Sequence, residues 1–507
     1  IGKTLKPKVR CVLQLANRGA GNPDGGLFTA NQFQKGTGTD PIPGQMPERG
    51  VIEVKPTTDD AWVTASGKQV SKYWGKYGLV LVTNYRDFVL IGKDAAGNPI
   101  KLETLRLAET EQSFWTQAAH PRKAAEKCGE RFVQYLTRMM LHAAPLSSPE
   151  DVAWFLASYA RDAKSRIEDV DLPALFSVRE ALEEALGLKF EGKKGEHFFR
   201  STLVQTLFYG IFSAWVLWSK EHPSMNRTAR FGWKEAAWSL HVPMIRALFE
   251  QVAAPTKLKP LGLVEPLDWT EAVLNRVDRA SFFSTFEEGQ AVQYFYEPFL
   301  QQFDPELRKD LGVWYTPPEI VKYMVARVDA VLREELEIED GLADPRVYVL
   351  DPCCGTGTYL VEVLRRIAET LKEKGGDGLV PLDLKKAAVN RVFGFEIMPA
   401  PFVVAHLQVG LLLQHLGAPL RHESAERAAV YLTNALTGWE PPKGPKTQLS
   451  FREMEEERDA AEEIKREKPI LVILGNPPYN AFAGVSPKEE QGLVEPYKEK
   501  LNKLVVE

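Results

Sequence analysis

Apolar positions along the chain follow two periods, and the places where the period changes divide it into three segments. Over 50–55, 79–83 and 88–92 apolar residues alternate with polar ones or run together, as in strands, with a turn at 84–87. A helix over 7–17, a turn entering a strand at Asn22-Pro23-Asp24-Gly25-Gly26-Leu27-Phe28, and a loose Gly/Pro/Thr stretch over 34–50 complete a small α/β domain. Between about 103 and 300 apolar residues recur every three to four positions, predicting helices over 103–117, 123–142, 149–167, 175–186, 198–220 and 233–253. Their breaks are helix stops and starts: Ser147-Ser148-Pro149, His222-Pro223 and Ala254-Pro255-Thr256. From about Asp304 strands (347–350, 391–396, 429–434, 470–474) alternate with helices (359–372, 401–416), the pattern of a doubly wound sheet. The charged stretch 441–468 predicts a solvated helical insertion. The expected fold is multidomain α/β: an α/β domain over 1–102, an all-α connector over 103–303, and a doubly wound domain over 304–507.

Composition narrows the function classes only slightly. A chain of 507 residues is too long for one core. Its net charge of −5 confines any nucleic-acid surface to a local patch. The four cysteines (Cys11, Cys128, Cys353, Cys354) form no CxxC pair, which argues against a zinc site or disulfide frame and for a reducing, cytoplasmic setting. No signal peptide is visible, and the most apolar run, 203–218, is short of a span and carries Gln205, so a buried helix and no membrane partner are expected. Aromatic density over 198–299 reads as helical core packing, and no GxxxxGK[ST] loop marks an ATPase motor. The opening at Ile1 and the ending in Leu-Val-Val-Glu suggest a piece of a longer polypeptide.

Chemistry concentrates at strand ends. The apolar run Ile470-Leu471-Val472-Ile473-Leu474 predicts a buried strand that Gly475 stops, followed by Asn476-Pro477-Pro478-Tyr479. Two prolines fix the backbone and hold carbonyl oxygens in place. Beside them, one amide and one ring suit a flat group bearing an NH2, such as an adenine turned out of a duplex. Upstream, Asp351-Pro352-Cys353-Cys354-Gly355-Thr356-Gly357 lies between a strand and a helix, where a doubly wound sheet takes a nucleotide. Gly355 and Gly357 permit close backbone approach. The third position of a dinucleotide GxGxxG is here Leu360, against a dinucleotide site, and Glu396 ends the next strand, placed to grip ribose hydroxyls. Thr316 is expected to cap a helix with Pro317 at its first position.

A second constellation lies near the start. Asp24, Glu53 and Lys55 form PD…ExK; on a strand Glu53 and Lys55 share a face, so two carboxylates and the Val54 carbonyl could hold Mg2+ while Lys55 orients or deprotonates water. Downstream, Gln69 and Tyr73 lie one helical turn apart. This set resembles the PD-(D/E)xK nuclease superfamily in its QxxxY version, which adds Gln69 to the catalytic set and implies a Mg2+-dependent endonuclease.

Taken in order, YTPP, DPCCGTG, GFE, LTN and NPPY over about 304–497 resemble the γ class of N6-adenine DNA methyltransferases. The resemblance implies a Rossmann-like domain binding S-adenosylmethionine (SAM). Tyr315, Thr316 and Pro317 would meet its methionine end, Asp351, Gly355 and Gly357 its floor, Glu396 its ribose and Asn434 its adenine. Asn476, Pro477, Pro478 and Tyr479 would hold the flipped base. Residues 480–500 further resemble fused restriction–modification enzymes of type IIG and type ISP. The order nuclease, connector, methylase is that of type IIG, with the connector setting the distance between sites. Double-stranded DNA, and other subunits of a phage-defence system, are the implied partners. The methylase sheet is expected to be incomplete and a recognition domain absent. Two other readings stand beside this one: a first domain that binds DNA without cutting it, and a non-catalytic subunit using the SAM fold as a scaffold.

Overall fold

The computed structural model describes residues 1–477 apart from 35–39, 94–96, 169, 171–172, 187–188, 223–228, 241, 287–294, 306–315, 376–378, 422–425 and 441–451. Tyr315, Pro478 and Tyr479 therefore lie outside the described residues. The chain divides into two units, Ile1–Leu146 and Ser147–Glu507.

In the first unit six strands follow one another across a sheet: β1 (Val9–Leu13), β2 (Gly25–Thr29), β3 (Val51–Val54), β4 (Val80–Thr83), β5 (Asp87–Lys93) and β6 (Pro99–Arg106). All neighbours are antiparallel except β3 and β4. A parallel pair needs a crossover, and helix α1 (Lys68–Tyr77) supplies its last leg. Alternation along the strands feeds two cores. Val51, Val80, Val82 and Val89 meet Val70 and Tyr73 of α1 on one face. Leu27, Leu79, Leu81, Phe88 and Leu90 meet Tyr135 and Met139 of helix α2 (Glu130–Leu141) on the other.

Two sequence expectations fail in this unit. The helix expected over 7–17 is strand β1, because pairing of Val9 with Thr29 and Leu13 with Gly25 outweighs an apolar spacing that also fitted a helix. The helix expected over 103–117 is strand β6 followed by a short helix, Glu111–Ala118. The boundary expected at 102/103 falls inside β6. A buried Glu103–Arg138 ion pair, 2.9 Å, ties that strand to α2.

The second unit is built around helix α3 (Gly192–Glu221). By length and composition it could cross a membrane, but 89% of its most apolar window is buried inside the protein. Tyr209 packs there on Tyr296 and Phe299. Four parallel strands form the sheet in the order β10 (Ile470–Ile473), β7 (Tyr348–Asp351), β8 (Val392–Glu396), β9 (Val430–Leu432). Helices α4 (Pro318–Glu334), α5 (Thr358–Glu373) and α6 (Pro399–His415) flank it. Buried Asp329 of α4 accepts from Arg333 and from Arg366 of α5, both at 2.9 Å, which fixes α4 against α5.

Here too the sequence reading needs correction. Strand β10 is half-exposed: Leu471 and Ile473 are 49% and 66% accessible while Val472 is buried. Helix α7 (Arg452–Glu467), expected to be solvated, buries Met454, Glu457, Ala461 and Ile464. Those residues are three and four apart, so one narrow stripe docks beside β8 and β9 while the charged face stays wet.

Candidate active site

In the first unit Asp24, Glu53, Lys55, Gln69 and Tyr73 converge. Asp24 Oδ2 accepts from the Val54 N–H at 2.7 Å, which draws the β2 entrance onto β3. Lys55 Nζ donates to Glu53 Oε1 at 2.6 Å, as two residues on one strand face should. Gln69 Nε2 donates to the Tyr73 hydroxyl at 2.8 Å. Glu53 is 2% exposed, and its Oε2 is buried without a hydrogen-bond partner. Burial pushes its pKa up despite the Lys55 ammonium, and neighbouring Asp24 pushes the same way. The ion pair with Glu53 holds Lys55 above its ordinary value. Among the described residues no three His, Cys, Asp or Glu side chains cluster as a metal set. The fit for Mg2+ therefore rests on two carboxylates, the Val54 carbonyl and the unpartnered Glu53 oxygen.

In the second unit the rim lies at the C-terminal ends of the parallel strands. The Leu474 N–H donates to Leu350 O at 3.0 Å, so β10 and β7 end side by side. Gly475 follows, and a Cβ there would lie 2.4 Å from Asp351 Oδ1; only glycine lets the chain pass the carboxylate. Asn476 is next. Its Nδ2 donates to Thr316 Oγ1 at 3.0 Å, across 160 residues of sequence. Thr316 is free to accept because it does not cap α4: the N-cap is Pro317 and the first helical residue Pro318, one position later than the sequence suggested.

The glycine turn closes against the neighbouring strand. Cys354 N–H donates to Phe395 O at 2.9 Å, and Gly355 N–H to Glu396 Oε2 at 2.8 Å. Glu396 Oε1 takes the N–H groups of Ile397 and Met398 at 2.9 and 2.8 Å. Both glycines are left-handed, φ +54° at Gly355 and +86° at Gly357, a region closed to most side chains. Among the described residues nothing lies within 4 Å of a Cβ built on Gly355, so they leave space over the turn, whereas Gly357 packs on Ala405. Asp351 Oδ1 accepts from Cys353 N–H at 3.1 Å, and its buried Oδ2 has no partner. Just past the end of β9 Asn434 Oδ1 accepts from Leu436 N–H at 3.0 Å, closing a tight turn.

These contacts set Thr316, Asp351, Gly355, Glu396 and Asn476 along one end of the sheet. Residues 288–493 match the family described as N-6 DNA Methylase. That segment contains the whole rim. Over 205 residues the chain is 22% identical to the type I restriction enzyme EcoEI methylase subunit of Escherichia coli, a match covering 38% of this chain and 36% of that protein. Among solved structures it is similar to a DrdV–DNA complex (18% identity, TM-score 0.44, 96% of this chain and 42% of that one). It is also similar to a nuclease-deletion mutant of the type ISP restriction–modification enzyme LlaGI with a DNA substrate mimic (19%, 0.42, 66% and 24%). The chain spans less than half the length of each.

The matched segment has two features that fit SAM: the unpartnered Asp351 oxygen and the space that the described residues leave over Gly355. Burial lifts Asp351 to about 8, with a further push from Glu396. It lifts Glu396 to about 7 against three backbone donors. Both values lie above the unfolded ones, 3.8 and 4.5. The folded chain therefore holds extra protons between about pH 4 and 8, and the two groups' contribution to stability is whole below that window and lost as pH rises through it. In Asp351→Asn one of them is gone. Its urea midpoint should gain on wild type from pH 5 to 8; parallel midpoints would contradict the shift.

Three features are not visible from sequence. Gly475 does more than end a strand: it lets the chain pass the Asp351 carboxylate. Thr316 does not cap α4 but accepts from Asn476. Lys465 stood inside a charge run that concealed its burial. The helical stripe 454, 457, 461, 464 would have marked it as lying beside a buried face.

Proposed function

We propose that the chain methylates N6 of adenine in DNA with SAM as donor and cleaves DNA with Mg2+ in its first unit, as part of a bacterial restriction–modification or phage-defence system in the cytoplasm. The observation that carries the methylase is the Asn476–Thr316 hydrogen bond, which joins the base-gripping turn to the entry of α4 on the rim that holds the glycine turn. SAM supplies an electrophilic methyl group. Asp351, Gly355 and Glu396 would hold it, with Tyr315, Thr316 and Pro317 at its methionine end and Asn434 at its adenine. With the Asn476 amide rotation set by Thr316, its Oδ1 and the Pro477 carbonyl accept the two N6 hydrogens, and Tyr479 stacks on the base. Those two hydrogen bonds draw the amine out of conjugation, so that its lone pair points at the donor, a gain of position and orientation. Incubating the full chain with SAM and DNA, then measuring N6-methyladenine, tests this directly.

The nuclease reading rests on the buried, unpartnered Glu53 oxygen beside Lys55. Asp24, Glu53 and the Val54 carbonyl would hold Mg2+, which supplies charge stabilisation at phosphate. Lys55 orients the attacking water, and Gln69 with Tyr73 supports the strand face from α1. If the first unit binds DNA without cutting it, metal-dependent cleavage is missing from wild type while methylation persists.

A further inference from the structure

Lys465 lies on α7 and is 6% exposed; among the described residues no carboxylate accepts from its ammonium, and Glu462 three residues earlier acts on it only through space. Its three ammonium hydrogens go to three neutral oxygens of one turn: Thr433 Oγ1 at 2.8 Å, Asn434 O at 2.7 Å and Thr437 O at 2.9 Å. The Phe395 ring lies beneath it, 5.0 Å from Nζ to centroid. Burying an ammonium among neutral acceptors is costly, and a neutral side chain of that length would fill the space more cheaply. Here the three donated hydrogen bonds draw one turn shut.

The position of that turn gives it meaning. Strand order across the rim is β10, β7, β8, β9. The methyl end of the donor must face Asn476 after β10, and its ribose faces Glu396 after β8. Its adenine therefore falls over the turn after β9. Thr433 N–H also donates to Glu396 O at 2.8 Å, so the turn and the ribose-gripping residue share a hydrogen bond. We infer that Lys465 is a positioning residue for the cofactor's adenine, holding the 433–437 turn, and with it Asn434, in the geometry that receives the base. This inference rests on the SAM reading of the same site.

The test is equilibrium dialysis of SAM with the full chain and three variants, together with steady-state methylation. In Lys465→Met the dissociation constant for SAM should rise about tenfold, the scale of one or two lost hydrogen bonds. KM for SAM should rise with it, kcat should change far less, and DNA affinity should stay constant. Lys465→Arg restores donors to the turn and should recover most of the loss. Thr433→Val, which removes one of the three acceptors, should shift SAM affinity in the same direction by a smaller factor. If wild type binds SAM and the folded variants bind it equally well, or if Arg rescues nothing, the positioning role is overturned. If wild type itself binds no SAM, the methyltransferase reading fails first and takes this role with it.

Discussion

In Asn476→Ala, methyl transfer to adenine should fall by at least about a thousandfold, while SAM affinity changes less than about twofold. The asymmetry follows from where the residue sits. Glu396 and the glycine turn hold one another through backbone hydrogen bonds that Asn476 does not join. The variant removes one acceptor for the amine, and with it the orientation of the nitrogen lone pair. It also removes the donor to Thr316, so Thr316→Val is the companion variant. With Asn476 present but its hydrogen bond to Thr316 gone, a fall of about tenfold is expected, the scale of one hydrogen bond that orients a side chain. Transfer rates from single-turnover assays with tritiated SAM, beside binding by dialysis, separate the two quantities. Loss of SAM binding in Asn476→Ala would place the residue in the cofactor's floor and not against the base.

The second large effect belongs to the first unit. On the nuclease proposed for it, Lys55→Ala should lower Mg2+-dependent DNA cleavage by about a thousandfold or more, because the carboxylates would still hold the metal while the water would lose the group that orients it. The variant also leaves Glu53 buried with neither oxygen ion-paired to lysine, which raises the carboxyl further and demands more Mg2+ at low pH. Lys55→Arg keeps the ion pair without the same reach and should stay inactive. Methylation is read in the same samples and should be unchanged. Equal cleavage by wild type and Lys55→Ala would retire the nuclease.

How much of this was legible in the residues depends on the range of the forces involved. Strands β3, β4, β5, β7 and β8 were readable because period-two or all-apolar runs are local and strong. Pairing across the sheet was not readable, and β1 shows why: Val9, Val12 and Leu13 suit a helix, and only β2 decides otherwise. Strand β6 was hidden in the same way: Ile100-Lys101-Leu102-Glu103 alternates, but Thr104-Leu105 breaks the period, and the strand pairs with β5 across a register shift. At the rim, sequence named Asp351, Gly355, Glu396 and Asn476, each at an element end. It could not foresee that Gly475 must be small to clear Asp351, or that Thr316 would face Asn476, since both depend on parallel neighbours far apart in the chain. Lys465 was lost because composition averages over both faces of a helix. A window counting sixteen mostly charged residues does not register one narrow buried stripe.

The central claim is that SAM lies over the glycine turn, and a titration of SAM into wild type and Gly355→Val tests it most directly. The described residues leave space over Gly355 and its φ is +54°, so valine both fills the cradle and resists the backbone. Wild type should bind one SAM per chain and Gly355→Val should bind it at least about a hundredfold more weakly, with circular dichroism showing the fold retained. Equal affinity in the two proteins, or no binding to wild type, would contradict the account.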